Sequence, residues 1–209
     1  MVSSDELAAN LIAAGVATIH EAQGRRGLIE GVRLISGPAF AGPALTVAIP
    51  AGDNLGIHLA LATAQPGSVL CIASRGGGKF GVVGELIVEA AHAAGLAGLV
   101  IDDGVRDVDR LRVPPSVAAV GRTPRGTVKR RYLSLAAPVA LGKTLVSPGD
   151  WVVCDSDGVC VIPADAAGAV AEAAQARETK EDGIRERLRA GEPTTRVLGI
   201  DAGVEHHGH

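Results

Sequence analysis

The sequence has very few aromatic residues and no surplus of basic charge. Phe, Trp and Tyr make up 2% of its 209 residues, whereas 47% are apolar and 28 residues are glycine. Alanine and valine must therefore fill the core, which favours thin, closely packed strands and helices. The net charge of −3 leaves no excess of cations to neutralise a phosphate backbone, so no nucleic-acid partner is expected. The length suits one domain spanning residues 1–209.

Long hydrophobic runs, a basic leader and paired cysteines are also missing. No apolar run approaches the roughly 20 residues of a membrane span. The opening residues MVSSDEL carry acids where a signal peptide needs a basic start. The cysteines are odd in number and never spaced as C-x-x-C, so we expect buried thiols at Cys71, Cys154 and Cys160. These absences predict a cytoplasmic protein without a membrane partner.

Turn residues predict helices at both ends of the chain. Ser3 and Ser4 offer a cap for a first helix that stops at Gly15, and a second short helix completes residues 1–25. A charged helix is predicted over residues 164–191. The histidine-containing tail over residues 201–209 is expected to be disordered rather than a metal site.

Between these helices the pattern predicts an α/β fold with a βαβ unit. A helix should follow the caps Asp53 and Asn54, and a buried strand should cover residues 69–73. The loop SRGGGKFG, a helix over 83–94 and a strand over 97–101 follow, so part of the sheet should be parallel. Short strands fill the second half, among them a hairpin with Asp157-Gly158 at its turn.

Two motifs in this βαβ unit have an open interpretation. The loop SRGGGKFG is either a tight connection or an anion site made from backbone amides. In the helix after it, Glu85, Glu89 and His92 share one face. Glu89 and His92 are interpreted as the polar side of an amphipathic helix, whereas Glu85 lies in the first turn beside the loop.

The segment DDGVRD contains the strongest candidates for ligand and metal binding. A strand that ends in acids would put them at the carboxyl edge of the sheet, where α/β proteins bind ligands. Arg106 has a planar fork that suits a carboxylate, and Asp107 offers the hard oxygen that Mg²⁺ or Mn²⁺ prefers. The alternative is structural, with Asp107 capping the short helix VDRLR and Arg106 on the surface.

The spacing favours the chemical interpretation. Twenty residues, 86 to 105, separate Glu85 from Arg106. This acid-x20-Arg-Asp pattern, together with FAGPALTV, PGSVL, GLVIDDGVRD, TPRGTVKR and SPGDWVVCDSDGVCVIP, resembles the RraA-like family of class II pyruvate aldolases. The resemblance covers most of the chain. It implies a single swivelling β/β/α domain assembled as a homotrimer or hexamer, with sites between subunits.

The resemblance also implies an activity. Family enzymes cleave 4-hydroxy-4-methyl-2-oxoglutarate or 4-carboxy-4-hydroxy-2-oxoadipate to pyruvate and a second keto acid, and they decarboxylate oxaloacetate with a divalent cation. The substrate-binding residues would be Gly84, Glu85, Leu86, Ile87 and Arg106. Asp107 would bind Mg²⁺ or Mn²⁺, and Glu85, Arg106 and Asp107 would be catalytic.

Two points leave alternatives open. The family often reads Ser-Asp-Ala near its start, where this chain has Ile19, His20, Glu21 and Ala22, so no role is assigned to those residues. The family also contains non-catalytic regulators that bind ribonuclease E. Those regulators lack the aspartate after the arginine, and this chain has it.

Overall fold

The computed structural model describes residues 2–112 and 114–200. Its helices are α1 (Ser4–Ala22), α2 (Leu55–Leu61), α3 (Glu85–Ala93), α4 (Ala167–Arg189) and α5 (Thr194–Val197), with a 3₁₀ turn at Val108–Arg110. Its strands are β1 (Arg33–Ser36), β2 (Phe40–Ile49), β3 (Val69–Ser74), β4 (Gly81–Val83), β5 (Gly98–Val105), β6 (Ser116–Arg122), β7 (Ser134–Leu135), β8 (Val139–Leu141), β9 (Thr144–Val146), β10 (Trp151–Cys154) and β11 (Val159–Ile162). In the described part of the chain, no helix combines the length and the apolar character that a membrane crossing requires.

A parallel sheet forms the centre of the molecule. Strands β2, β3, β5 and β6 lie side by side in parallel, which confirms the predicted βαβ unit. Strand β1 pairs antiparallel with β6 at one side, and the predicted β10–β11 hairpin pairs antiparallel with β2 at the other. The result is the predicted mixed α/β fold.

The alternation of side chains along the strands sorts the core into layers. Leu70 and Ile72 of β3 face a cluster that includes residues of α2 and α3. Val69 and Cys71 of the same strand face the opposite way, towards residues of β8–β11. This is the period of two that a strand buried on both faces must show. Helices α1 and α4 pack against the outer side of the β10–β11 hairpin.

Helix α1 is interrupted where the sequence predicts a stop. Gly15 has φ 77° and ψ 158°, a conformation that disfavours other residues. The amide of Val16, freed by this break, donates to Oδ2 of Asp155 at 2.7 Å. The interruption is therefore anchored to the loop of the β10–β11 hairpin.

Two predictions about the βαβ unit were wrong. The glycine loop does not lead directly into a helix, because β4 lies between the loop and α3. Strand β5 does not end at the acids either: it continues to Val105, so Asp102 and Asp103 lie inside the strand rather than at its edge. The sheet continues because β4 adds a new parallel partner for the last residues of β5.

The two acids hold the glycine loop instead of a ligand. Asp103 is 0% exposed, and its carboxylate accepts hydrogen bonds from the Ser74 hydroxyl at 2.6 Å and from the Phe80 amide at 3.0 Å. Asp102 accepts from the Ser74 amide, and burial raises the pKa of its carboxyl to about 6. The protein's own carboxylate takes the Phe80 amide, which favours the interpretation of the loop as a tight connection.

The remaining predictions concern the termini and the thiols. Helix α4 is followed by Gly191, whose φ is 87°. The tail predicted to be disordered lies outside the described residues. All three cysteines are free and buried, as expected.

Candidate active site

Two neighbouring strand ends create the candidate site. Strands β4 and β5 are parallel, and their last residues, Val83 and Val105, are register partners. The amide of Arg106 donates to the carbonyl of Val83 at 2.9 Å. Residues 84–85 and 106–107, which follow these strands, therefore leave the sheet side by side. A separation of twenty residues in sequence becomes direct proximity at one sheet edge.

Arg106 and Asp107 form a half-exposed pair at this edge. The Arg106 Nε lies 3.4 Å from Oδ2 of Asp107, and each side chain is 43% exposed. Asp107 has φ 56° and ψ 32°, in the left-handed region that aspartate and asparagine tolerate better than most residues. It precedes the 3₁₀ turn, but its side chain makes no capping hydrogen bond. Asp107 therefore stands at the cap position of the structural alternative, while its carboxylate is left available to the pocket.

Gly84 keeps the space beside this pair open. A Cβ atom at this position would lie 2.6 Å from Oδ2 of Asp107 and 2.9 Å from Cγ of Arg106. The backbone of Gly84 is extended, with φ −147° and ψ −172°, so its conformation does not require glycine. Glycine is required here because any larger side chain would collide with Arg106 and Asp107, the two residues best suited to bind a substrate and a metal.

Glu85 begins helix α3 on the other side of the gap. Its Oε2 lies 3.3 Å from Nη1 of Arg110, and both residues line the rim of the site. The amide of Ile87 donates to the carbonyl of Gly84 at 3.0 Å and is used within the first turn. The amides of Glu85 and Leu86 precede it, at positions where helix geometry supplies no intrahelical acceptor.

These groups line one open pocket of about 280 Å³. The residues that line it are Asn54, His58, Gly81, Val82, Gly84, Glu85, Leu86, Ile87, Arg106, Asp107, Arg110 and Lys129. All six residues predicted from the sequence, 84–87, 106 and 107, are among them. His20 and Glu21, for which no role was assigned, are not.

The wall formed by α2 and the segment after β6 was missed by sequence reasoning. The sequence indicates only a helix cap at Asn54, and Lys129 enters it only as part of the motif TPRGTVKR. Asp53 positions that segment, because its buried carboxylate accepts the amides of Arg130 at 3.0 Å and Arg131 at 2.8 Å. The available signal was the spacing of Asn54 and His58, four residues apart and hence on one face of α2.

Two buried polar atoms in this wall have no partner among the described residues. They are Oδ1 of Asn54 and Nε2 of His58. Burial, and to a smaller degree the charge of Lys129, lowers the pKa of His58. Because buried polar groups are rarely left unpaired, these two atoms point to a ligand or ordered water in the pocket.

The charges of the pocket favour an anion. Arg106, Arg110 and Lys129 supply three positive charges, and Glu85 and Asp107 supply two negative ones. A divalent cation at Asp107 would increase this positive excess. The described residues contain no group of three or more His, Cys, Asp or Glu that could hold a metal alone. A cation here would keep most of its ligands as water or substrate, as Mg²⁺ commonly does.

A larger cavity of about 600 Å³ lies elsewhere, beside the end of α1. Its polar side chains already serve the fold. The Gln23 amide donates to the carbonyls of Arg26 at 2.7 Å and Val161 at 3.0 Å. Asp150 accepts the amides of Ser147 and Ala164. The smaller pocket, which has unpaired polar groups and clustered charges, is the better candidate.

Fold and site together define a class of protein. It is a mixed α/β protein in which an acid, an arginine and an aspartate meet where two parallel strands end. A family model described as RraA-like, Aldolase/RraA, matches residues 8–161, and the chain belongs to this family.

Known proteins with sequence or structural similarity agree with that assignment. A relative from Halalkalibacterium halodurans, named "Putative 4-hydroxy-4-methyl-2-oxoglutarate aldolase", is 33% identical over 149 residues, which are 70% of each chain. The structure of RraAS2 from Streptomyces coelicolor, described as an unusual member of the RNase ES inhibitor RraA protein family, is 30% identical with a TM-score of 0.75, covering 87% of this chain and 98% of that one. An uncharacterised protein from Pseudomonas syringae pv. tomato has a TM-score of 0.84 at 24% identity over 96% of both chains, which shows the fold.

Proposed function

We propose that this chain is a divalent-metal-dependent carbon–carbon lyase. It cleaves 4-hydroxy-2-oxo acids, such as 4-hydroxy-4-methyl-2-oxoglutarate or 4-carboxy-4-hydroxy-2-oxoadipate, to pyruvate and a second keto acid. It also decarboxylates oxaloacetate. The observation that carries the proposal is the convergence of Glu85, Arg106 and Asp107 where β4 and β5 end in register. The name of the Halalkalibacterium relative supports the same reaction class.

Arg106 and the first amides of α3 would bind the 2-oxo acid end of the substrate. A guanidinium can donate two parallel hydrogen bonds to a carboxylate. The amides of Glu85 and Leu86 lie at a helix amino terminus, where the helix dipole favours negative charge. Gly126 lies beside Arg106, since a Cβ there would be 3.2 Å from its Nη1. Because Gly126 has no Cβ, it leaves room for the guanidinium at the edge of the pocket.

Asp107 would hold the divalent cation, Mg²⁺ or Mn²⁺. The fit rests on two observations: its carboxylate makes no capping bond, and Gly84 leaves the space beside Oδ2 free. When bound, such an ion supplies Lewis-acid stabilisation of the negative charge that develops on the 2-oxo group. Arg106 adds a positive charge 3.4 Å from the same carboxylate.

Glu85 would move the protons that the reaction requires. Aldol cleavage removes a proton from the C4 hydroxyl, breaks the C3–C4 bond and leaves the enolate of pyruvate, which takes a proton at C3. The Glu85 carboxylate stands at the rim of the pocket, where it can orient a water molecule for these transfers. Arg110 pairs with this carboxylate.

Decarboxylation of oxaloacetate follows from the same groups. Loss of CO₂ breaks the C3–C4 bond and yields the same enolate, without a hydroxyl to deprotonate. The groups that bind the 2-oxo acid end would therefore serve both reactions. We expect decarboxylase activity whichever hydroxy acid is the natural substrate.

The assembly is proposed to be a homotrimer or hexamer with sites between subunits. Several apolar side chains are exposed in one chain: Leu86, which lines the pocket, is 80% exposed, and Val128, Tyr132 and Leu133 are also exposed. Burial of such a patch against a second copy would remove apolar surface from water. Sedimentation analysis would test this, and a monomer at micromolar concentration would contradict it.

The test of the function is pyruvate release by the wild-type protein. Oxaloacetate and 4-hydroxy-4-methyl-2-oxoglutarate are each supplied with Mg²⁺ or with a chelator, and the rate with free Mg²⁺ alone is subtracted. We expect release from both acids that stops on chelation. No release above the background would refute the lyase. Capture of ribonuclease E by the same inactive protein would instead favour a regulator of the RraA type.

A further inference from the structure

The wall formed by α2 holds the only two polar side-chain atoms of the described residues that are buried and unpaired. Oδ1 of Asn54 and Nε2 of His58 both belong to residues that line the 280 Å³ pocket. Asn54 occupies the N-cap position of α2, where its side chain makes no capping bond, and His58 lies one turn later, so both side chains occur on the same face of the helix. The proposed reaction gives neither residue a role.

The hydrogen-bonding character of Asn54 is fixed by its other contact. Its Nδ2 donates to the carbonyl of Val82 at 3.1 Å, and that carbonyl can only accept. The unpaired atom of Asn54 is therefore its oxygen, an acceptor that needs a donor. A carboxylate cannot meet this need, because an ionised carboxylate has no hydrogen to donate.

His58 can supply a hydrogen-bond donor beside the acceptor oxygen of Asn54. Burial and the neighbouring charge of Lys129 lower its pKa, so the ring is neutral near pH 7 and Nε2 can carry a hydrogen. A group that donates to Asn54 and accepts from His58 must have both a hydrogen and a lone pair. Water and an alcohol have both, and in a 4-hydroxy-2-oxo acid the only alcohol is at C4.

We propose that Asn54 and His58 form the subsite that binds the C4 hydroxyl of the substrate and selects hydroxy acids over acids without this group. This inference rests on the proposed function, since it assigns the part of the pocket that the 2-oxo acid end leaves free. In oxaloacetate the C4 position is a carboxylate, which the Asn54 oxygen does not favour. The subsite therefore holds the hydroxy acid before its hydroxyl proton passes to the water that Glu85 orients, and it has no part in decarboxylation.

The experiment compares two substrates across matched variants. His58→Leu removes the nitrogen, and His58→Gln places an amide nitrogen near the position of Nε2. His92→Leu makes the same change at an exposed histidine of α3, outside the pocket. For each protein, kcat/KM for pyruvate release is measured with oxaloacetate and with 4-hydroxy-4-methyl-2-oxoglutarate, and thermal unfolding verifies folding.

We expect His58→Leu to lower kcat/KM for the hydroxy acid by about 10- to 100-fold, the cost of leaving buried groups unpaired. For oxaloacetate, kcat/KM should change less than about threefold. His58→Gln should recover part of the loss of kcat/KM for the hydroxy acid. Asn54→Leu should produce the same selective loss as His58→Leu. Equal losses with both acids, or no loss with either, would overturn the subsite. A wild-type protein inactive with both acids would instead refute the proposed function, and the subsite with it.

Discussion

A methyl group added at Gly84 should inactivate the site while leaving the fold nearly intact. In Gly84→Ala, the new Cβ would lie 2.6 Å from Oδ2 of Asp107, 2.9 Å from Cγ of Arg106 and 3.0 Å from its Nε. The first distance is about 0.8 Å short of ordinary van der Waals contact. The backbone at this position is extended, so alanine itself is not strained there.

The conflict must be relieved by movement of Arg106 and Asp107. Both side chains are 43% exposed and can rotate into solvent, so the free energy of unfolding should fall by only about 1 kcal/mol. The same rotation displaces both groups from the pocket by a distance on the order of 1 Å. A displacement of this size can reduce a rate by about 100-fold. The expected signature is therefore a large loss of activity with a small loss of stability.

The assay is metal-dependent pyruvate release from oxaloacetate, with thermal unfolding measured on the same samples. Gly183→Ala is the matched control. It adds the same methyl group in the middle of α4, where nothing lies within 4 Å, and should stabilise the helix by up to about 1 kcal/mol. If Gly84→Ala kept more than a third of the wild-type kcat/KM, the pocket would not depend on the volume that glycine leaves free.

Further predictions concern buried titratable groups. The rise in the pKa of Asp102 from 3.8 to about 6 corresponds to about 3 kcal/mol, which its partial exposure reduces to about 1–2 kcal/mol. A raised pKa means that the folded protein favours the protonated carboxyl. The resulting stabilisation is therefore present below pH 4 and is lost as the pH rises through about 6. Asp102→Asn should therefore unfold about 2–8 °C higher than wild type at pH 8 and at the same temperature at pH 4, and an equal gain at both pH values would contradict this. Burial raises the pKa of all three thiols, to about 12 for Cys154 and about 11 for Cys160, so a thiol reagent at pH 8 should label no cysteine rapidly in native protein and all three in denaturant.

The parts of the fold that local patterning controls were predictable from sequence. The stop at Gly15, the parallel βαβ unit and the β10–β11 hairpin follow from caps, turn residues and the period of the apolar positions. The segment DDGVRD shows the limit. Its acids looked like the end of a strand, but β4 supplies a partner that extends β5 to Val105. A three-residue strand has too little pattern to be recognised before its partner is known.

The candidate site was likewise only partly predictable from the sequence. Glu85, Arg106 and Asp107 were found because a fixed spacing joins them in one motif. Asn54 and His58 come from a helix with no such spacing to the motif, and packing of α2 beside β4 brings them to the pocket. The N-cap position already explains a polar residue at Asn54, so nothing in the sequence indicates that its oxygen is unpaired. Unpaired burial is a property of the folded chain and has no sequence signature.

The central claim is that Asp107 binds the divalent ion on which carbon–carbon cleavage depends. Asp107→Asn tests it most directly, because asparagine tolerates the left-handed backbone at this position while it removes the charge. Pyruvate release from oxaloacetate is measured for wild type and variant over a range of Mg²⁺ concentrations. We predict that the variant loses at least about 100-fold of the metal-dependent rate and unfolds within a few degrees of wild type. A variant that keeps the wild-type rate and the wild-type dependence on Mg²⁺ would contradict the claim.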